Sequence, residues 1–426
     1  MRSFFLPIVK FILRHLARLT IWKYRPGIIG VTGSAGKTST KMAIKAVLAG
    51  ERRVRASAGN FNNELGLPLT ILGPWERIRG LFFWPGVVIH AVRRLLVRDP
   101  HYPEILVLEY GVDRPGDMRY LLGIARPNIA VITAIGEVPV HVEFFANPDA
   151  VAKEKAKLIE YLPTAGFAVL NNDDAIVMGL KNRTRAHVMT FGFGKSAEVK
   201  VANYDIRAEN GAPAGIAFKL SYIGSTVPVR IENVFGKTQC YAASAATAIG
   251  LIFGMNLVKI SEALERYRAP QGRMELLRGV KEGTYVIDDS YNASPLSMHA
   301  ALDTLHDLPA KRRIGVLGDM RELGSYSMDA HQYLGELAAG TLDYLVTVGP
   351  HAKFIAEGAR QKGFPRKNIL SFDLAEEAHV SVQNLMKKGD VVLVKGSRAM
   401  RLEKVVREIR VFPEALLKKD SVKPLA

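Results

Sequence analysis

Apolar and polar positions follow two periods along this chain. Continuous apolar runs at residues 28–31, 105–108 and 129–133 have the length of buried strands, and helical spacing follows the first at 39–48. Residues 148–161 predict a charged helix. Residues 199–231 differ: short alternating segments broken at Asn210-Gly211 and Gly224-Ser225 predict an antiparallel excursion. Helical spacing returns at 241–253 and 260–267. After the break Ala269-Pro270-Gln271-Gly272 a second α/β unit begins, with strands expected near 285–287, 314–317, 345–348 and 391–394. No internal repeat or low-complexity tract interrupts the pattern.

Two early segments combine bulky apolar and basic residues. In residues 4–22, Lys10, Arg14 and Arg18 recur every four positions as one basic stripe, and Phe4, Phe5, Ile8, Phe11, Ile12, Leu16 and Leu19 fill most of the rest of the helix. In residues 75–98, Leu81, Phe82, Phe83, Trp84, Val87, Val88 and Ile89 stand beside Arg77, Arg79, Arg93, Arg94 and Arg98. Composition sharpens this picture. The chain carries a formal +17, and its first hundred residues hold 17 lysines and arginines against 4 acids, a local excess of 13. An anionic surface is the expected partner of that quarter. No nucleic-acid module is present, so we expect no nucleic acid and read the segments as peripheral membrane contacts, with packing on the protein's own core as the alternative. Residues 4–22 are too charged to span a bilayer and lack a secretory cleavage site. The single cysteine, Cys240, excludes an intrachain disulfide and fits a reducing, cytoplasmic location, with the inner membrane face as the contact surface.

The candidate chemistry begins at Thr32-Gly33-Ser34-Ala35-Gly36-Lys37-Thr38, between a strand-like run and a helix-like one that opens at Ser39. Glycines let main-chain N–H groups wrap phosphate oxygens at a helix N-terminus, Lys37 adds a point charge, and the Thr38 hydroxyl suits Mg²⁺. The loop is shortened: Val31 stands where the usual spacing has its first glycine. The expected ligand is a nucleoside triphosphate, and the expected fold class is α/β. A central P-loop parallel-sheet ATPase domain at 26–269 follows an amphipathic helix at 1–25 and precedes a smaller Rossmann-like α/β domain at 270–426.

Several further motifs stand in order: Gly59-Asn60-Phe61-Asn62-Asn63-Glu64-Leu65-Gly66, Leu108-Glu109-Tyr110-Gly111, Asp288-Asp289-Ser290-Tyr291-Asn292-Ala293, Val316-Leu317-Gly318-Asp319-Met320 with later His331, and Val394-Lys395-Gly396-Ser397-Arg398. With the phosphate loop, these resemble the Mur ligases of peptidoglycan synthesis, most closely the MurF type, which joins D-alanyl-D-alanine to a muramoyl tripeptide. The resemblance covers about residues 26–410.

It implies an ATP-dependent carboxylate–amine ligase that forms an acyl phosphate and lets an amine attack it. ATP would meet Gly33, Ser34, Ala35, Gly36, Lys37, Thr38 and Ser39 in the first domain, and Arg273, Asp289 and Tyr291 in the second, which would close over the nucleotide. Thr38, Glu109 and His141 would hold Mg²⁺, and Lys155 aligns with a lysine that the family carbamylates. Lys37, Lys155, Glu109 and His141 are thus the catalytic candidates. Asn60, Asn62, Asn63, Asn292, Lys395 and Ser397 would face the muramoyl peptide and D-Ala-D-Ala. By its own spacing Lys155 also fits a solvated lysine on a charged helix, and Asp288-Asp289 an ordinary strand-end turn.

The chain departs from the pattern in three places. Ala134 and Ala242 stand where the family has asparagines on the adenine side. The phosphate loop begins at residue 32, so the UDP group of a soluble precursor has no evident receptor. That leaves a lipid-linked or other carboxylate acceptor as an alternative, and a non-catalytic nucleotide-binding scaffold as a second.

Overall fold

The computed structural model describes residues 2–78, 80, 83–209 and 212–411, with residues 2–5 described by their main chain alone. The expected turn at Asn210-Gly211, the side chains of Phe4 and Phe5, and residues Arg79, Leu81 and Phe82 lie outside the described residues. Two compact units emerge. One comprises Met1–Asp205, Ala217–Ile231 and Thr238–Pro270, the other Ile206–Ile216, Glu232–Lys237 and Gln271–Ala426.

The strands from β1 to β9 form one sheet: β1 (Gly27–Thr32), β2 (Val54–Ala56), β3 (Ile105–Glu109), β4 (Ile129–Ile132), β5 (Phe167–Asn171), β6 (His187–Gly192), β7 (Val199–Glu209), β8 (Ala212–Tyr222) and β9 (Ser225–Glu232), in the order β2-β3-β1-β4-β5-β6-β7-β8-β9. Every pairing from β2 through β7 is parallel. The last three strands are joined by two-residue connections, which only antiparallel neighbours allow, so the excursion expected at 199–231 extends the sheet. All residues of β3 and β4 are buried, because helices cover both faces of a parallel sheet and its strands become continuous apolar runs. β1 lies between β3 and β4, with Val31 opposite Glu109 and Thr32 opposite Ile132. The loop after β1 therefore opens beside the carboxyl ends of both neighbours, where ligands of open α/β sheets gather.

Among the described residues, nine helices accompany this sheet: α1 (Arg2–Tyr24), α2 (Lys37–Leu48), α3 (Gly66–Leu72), α4 (Phe83–Leu96), α5 (Asp117–Leu122), α6 (Pro148–Glu160), α7 (Ala175–Gly179), α8 (Lys237–Ile252) and α9 (Leu257–Glu265). α6 starts where Asn147 accepts a hydrogen bond from the Ala150 N–H and Pro148 occupies the first turn. In the second basic segment the described helix runs from Phe83, and residues 73–78 are irregular main chain.

α1 corrects the basic-stripe expectation. Val9, Leu13, Ala17 and Thr20 are buried, one face of a helix, and the first three share a core cluster with Leu67, Leu72, Val87 and Ala91. Positions 10 and 14 flank that face, so their long side chains run along the edge of the core. Lys10 forms an ion pair with Glu64 at 2.6 Å, and the Arg14 guanidinium sits 4.9 Å from the Tyr120 ring centroid. Of the three, Arg18 is the one left exposed.

The second unit holds a six-stranded sheet of β10 (Glu275–Arg278), β11 (Tyr285–Asp289), β12 (Arg312–Gly318), β13 (Tyr344–Val348), β14 (Ile369–Phe372) and β15 (Asp390–Lys395), in the order β10-β11-β15-β12-β13-β14. β10 is antiparallel to β11 and the rest are parallel. Among the described residues, α10 (Pro295–Asp307), α11 (Ser327–Thr341), α12 (Ala352–Gln361), α13 (Ala375–Leu385) and α14 (Glu403–Ile409) accompany it. Among the described residues no helix is long and apolar enough to cross a membrane.

Candidate functional site

The phosphate loop is held from β4. Ala134, on the strand's exit, accepts the Ser34 N–H at 2.6 Å and the Ala35 N–H at 3.3 Å through its carbonyl, and Thr133 Oγ1 donates to Ala35 O at 2.6 Å. Gly33 has φ 147°, and a Cβ there would stand 2.1 Å from Thr133 Oγ1, so the close approach requires glycine. Gly36 turns the chain into α2 at φ 82°. The Lys37 ammonium folds back onto Gly33 O at 2.8 Å. The Ser34 hydroxyl is buried without a hydrogen-bond partner among the described residues, an orphan that a phosphate oxygen would satisfy.

Glu109 ends β3 with its side chain almost wholly buried, and three donors converge on it. Thr38 Oγ1 lies 3.1 Å and Lys41 Nζ 3.0 Å from Oε2, while Asn62 Nδ2 lies 3.2 Å from Oε1. Lys41, one turn beyond Lys37, is fully buried and also donates to Gly59 O at 2.9 Å. It thus ties the nucleotide helix to the carboxylate and to the asparagine loop. Sequence reasoning missed Lys41; its four-residue spacing from Lys37 on α2 was the available signal. The asparagines separate in role. Asn62 joins Glu109, the Asn63 side chain accepts from the main-chain N–H groups of Leu65 and Gly66, and Asn60 is exposed.

Lys155 is 1 % exposed, so the solvated-lysine alternative fails. Every third or fourth residue of α6 faces the sheet, and position 155 falls among Val151, Ala152, Ala156 and Leu158, all buried. Burial, reinforced by the Lys37 charge, pushes its ammonium down to about 7, against weaker opposing pulls from Asp113 and Glu154. No hydrogen bond or ion pair reaches it among the described residues. Glu154 accepts the N–H groups of Gly116 and Met118 and pairs with Lys157 at 2.5 Å. His141 occupies a left-handed main-chain position, φ 68°, and its Nε2 lies 3.3 Å from Asp113 Oδ1. Main-chain geometry of that kind in a non-glycine residue clusters at functional sites. Asp113 and Glu154 were not singled out from sequence; neither lies in a motif.

Mg²⁺ takes hard oxygen donors and completes its shell with water and substrate phosphates, so one or two protein ligands suffice. The Thr38 hydroxyl and the Glu109 carboxylate fit that donor set. Among the described residues no cluster of three or more His, Cys, Asp or Glu side chains could by itself hold a metal ion.

In the second unit, Asp289 and Lys395 are both buried, 2.5 Å apart, and Asp289 also accepts the Met274 N–H while Lys395 donates to Asn292 O. Burial raises the Asp289 carboxyl and lowers the Lys395 ammonium, and each partner's charge opposes the other's shift. The Arg273 guanidinium stacks 4.3 Å from the Tyr291 ring centroid, with Arg398 at 5.5 Å. Ser397 Oγ accepts the Arg321 N–H, and Asn292 Oδ1 accepts the Ala293 N–H. His331 is fully buried and burial lowers its pKa: Nε2 accepts the Met320 N–H and Nδ1 donates to Ser327 O, which fixes a neutral tautomer. Asp288 accepts from the Ser290 N–H and hydroxyl, so the paired acids do different work.

Strand, glycine-bearing loop, lysine, hydroxyl and strand-end carboxylate define a P-loop nucleotide-binding α/β protein with a second, separately cored α/β unit. Family comparison agrees: residues 31–77 and 90–250 match the Mur ligase middle domain, and residues 272–398 match the Mur ligase glutamate ligase domain. The chain belongs to the Mur ligase family of ATP-dependent ligases. It is 32 % identical over 403 residues to the UDP-N-acetylmuramoyl-tripeptide–D-alanyl-D-alanine ligase of Bacillus subtilis, covering 94 % of this chain and 79 % of that one. The Escherichia coli enzyme of the same name is 30 % identical, over 90 % of this chain and 76 % of its own. Among solved structures, MurF from Acinetobacter baumannii superposes with TM-score 0.77 at 26 % identity, covering 94 % of this chain and 80 % of that one. MurF from Thermotoga maritima in complex with ADP gives 0.76 at 26 % identity, over 96 % and 84 %.

Proposed function

We propose that this chain joins D-alanyl-D-alanine to a muramoyl tripeptide, with ATP as the activating substrate. The substrate carboxylate attacks the γ-phosphorus, releasing ADP and leaving an acyl phosphate. The dipeptide amine then attacks the acyl carbon, phosphate departs, and the nitrogen loses its proton as the amide forms. Both steps move negative charge across the phosphate loop, so fixed donors there stabilise the transition states more than the ground states.

In this reading the residues 33–39 cradle the ATP phosphates, and Lys37 leaves Gly33 O to meet the transferring phosphoryl group. Mg²⁺ held by Thr38 and Glu109, with His141 as the ligand of a second metal ion, would neutralise developing charge on the phosphate oxygens. Lys41 and Asn62 hold the Glu109 carboxylate in one orientation. Lys155 carries a carbamate: a buried amine pushed down to about 7 is neutral often enough near neutral pH to attack CO₂, the nitrogen gives up a proton to water, and the product is an anion beside the Lys37 charge. Arg273, Asp289 and Tyr291 contribute to ATP binding, and Asn60, Asn62, Asn63, Asn292, Lys395 and Ser397 to the peptide substrates, with Asp289–Lys395 serving as a rigid support. We assign the enzyme to the cytoplasm, consistent with its one buried cysteine.

The observation that carries the reading is the convergence of Thr38, Lys41 and Asn62 on one strand-end carboxylate beside the phosphate loop. The test is phosphate release from ATP in the presence of a muramoyl tripeptide, soluble or lipid-linked, with and without D-alanyl-D-alanine. Release that requires both peptides, and that Lys37→Ala removes, supports the proposal. Release indifferent to either peptide, or none with any acceptor, overturns it.

A further inference from the structure

α1 and α4 each have two apolar faces. Their inner faces, Val9, Leu13 and Ala17 on one and Val87 and Ala91 on the other, lie in the same core cluster. The helices touch near their C-terminal ends, where Lys23 Nζ donates to Arg94 O and Leu95 O at 3.0 and 2.8 Å, and the Tyr24 hydroxyl donates to Arg94 O at 2.9 Å. Their outer faces are apolar as well. On α1, Ile8, Phe11 and Trp22 are 58, 64 and 73 % exposed; on α4 and its exit, Ile89, Leu96 and Val97 are 69, 79 and 66 % exposed. A groove of about 360 Å³ runs along α4, lined by Val88, Ile89, Val92, Arg93, Leu96 and Val97. Exposed apolar residues scattered singly need no explanation, but stripes at helical spacing on two adjacent helices do.

Charge identifies what covers them. The first acidic residue in the chain is Glu51, and none lies between Arg77 and Arg98, so neither helix carries an acid. Arg18, Arg93 and Arg98 are exposed on or beside the two stripes. A second copy of this surface would set arginines against arginines, which opposes a self-complementary interface. A bilayer with anionic headgroups meets both demands at once, since acyl chains receive the apolar stripes and headgroup phosphates the guanidinium groups. We propose that the outer faces of α1 and α4 form a monotopic docking surface for anionic lipid bilayers. The surface is independent of the ligase reading, because none of its residues touches the phosphate loop or Glu109. It also differs from the stripe expected from sequence: Lys10 and Arg14 are engaged within the fold, and the contact is a two-helix apolar face with arginines at its margin.

The test is co-sedimentation of the full chain with vesicles of phosphatidylcholine, with and without phosphatidylglycerol, across a salt series. Two sets of variants separate the contributions: Phe11→Ser, Trp22→Ser, Ile89→Ser and Leu96→Ser together, and Arg18→Gln, Arg93→Gln and Arg98→Gln together. All seven side chains are exposed, so the thermal midpoint and ATP-dependent phosphate release should stay unchanged. The expected result is salt-sensitive binding to the anionic vesicles. The apolar set should reduce it by about a hundredfold, and the arginine set by about fivefold per residue. Equal binding to neutral vesicles, no vesicle binding, or binding that both sets leave intact would overturn the proposal. So would a dimer in solution that ignores vesicles and that the apolar set dissociates, which would make a second copy the true occupant.

Discussion

Glu109 and Lys155 are both charged groups sealed inside the first unit, and the fold treats them in opposite ways. Glu109 is met by three donors, Thr38 and Lys41 from α2 and Asn62 from the asparagine loop, the kind of partnering a buried carboxylate needs. Lys155 has no hydrogen-bond acceptor or ion-pair partner among the described residues, only weaker pulls from Asp113 and Glu154, and burial pushes it down to about 7. A protein keeps an unpaired buried cation only where something else is gained. The difference marks Glu109 as a finished part of the site and Lys155 as a part completed by chemistry, through conversion from a cation to a carbamate anion.

The largest expected effect comes from removing charge at the loop that both groups serve. Lys37→Ala should lower turnover by about 100- to 1,000-fold with little change in the thermal midpoint, since the residue stabilises a transferring phosphate and packs against little. Steady-state phosphate release checks this, and turnover within a few-fold of wild type would remove the loop from the mechanism. Lys155→Ala should be similarly inactive, and short carboxylic acids should restore part of the activity by occupying the place of the carbamate. Full activity without additives would end the contrast drawn above.

Lys41→Met acts on the other side of the comparison. It removes the buried cation paired with Glu109, so we expect a loss of about 3–5 kcal/mol in unfolding free energy, as for other broken buried pairs. Turnover should fall by about 10- to 100-fold, because the carboxylate loses an orienting partner. Denaturant unfolding with a parallel kinetic measurement separates the two effects.

A last expected effect is a slope against pH. In CO₂-free buffer the folded chain releases the Lys155 proton near pH 7, whereas the unfolded chain holds it to about 10.5, so the unfolded state binds more protons between those values. Stability should therefore rise with pH across that window, and Lys155→Met should remove that part of the rise. Identical slopes for the two proteins would mean that Lys155 is not a buried amine.

Much of this contrast was legible in the sequence, and the remainder was hidden for physical reasons. The parallel strands β1, β3 and β4 show as continuous apolar runs because both faces of the sheet are covered, and the loop at Gly33 to Thr38 shows because phosphate binding demands particular residues at fixed spacing. Lys155 appeared as one of three lysines on a charged helix; which of them turns inward depends on how α6 rotates against the sheet, and local pattern does not fix that. Lys41 was silent because a lysine on a helix is ordinary until a carboxylate from another strand is brought to it. Lys10 and Arg14 misled in the opposite direction. Their spacing describes a stripe, yet Glu64 and Tyr120, distant in sequence, draw both side chains toward the protein.

Activation of a carboxylate for amide formation by the phosphate loop and its buried charges can be followed by isotope transfer. A muramoyl tripeptide labelled with ¹⁸O in its reacting carboxylate is incubated with ATP, D-alanyl-D-alanine and the enzyme, and the released phosphate is analysed by mass spectrometry. Attack of that carboxylate on the γ-phosphorus, followed by loss of phosphate from the acyl carbon, predicts one ¹⁸O in phosphate for each amide formed. Unlabelled phosphate, with no amide product, would show that water is the acceptor and would contradict the account.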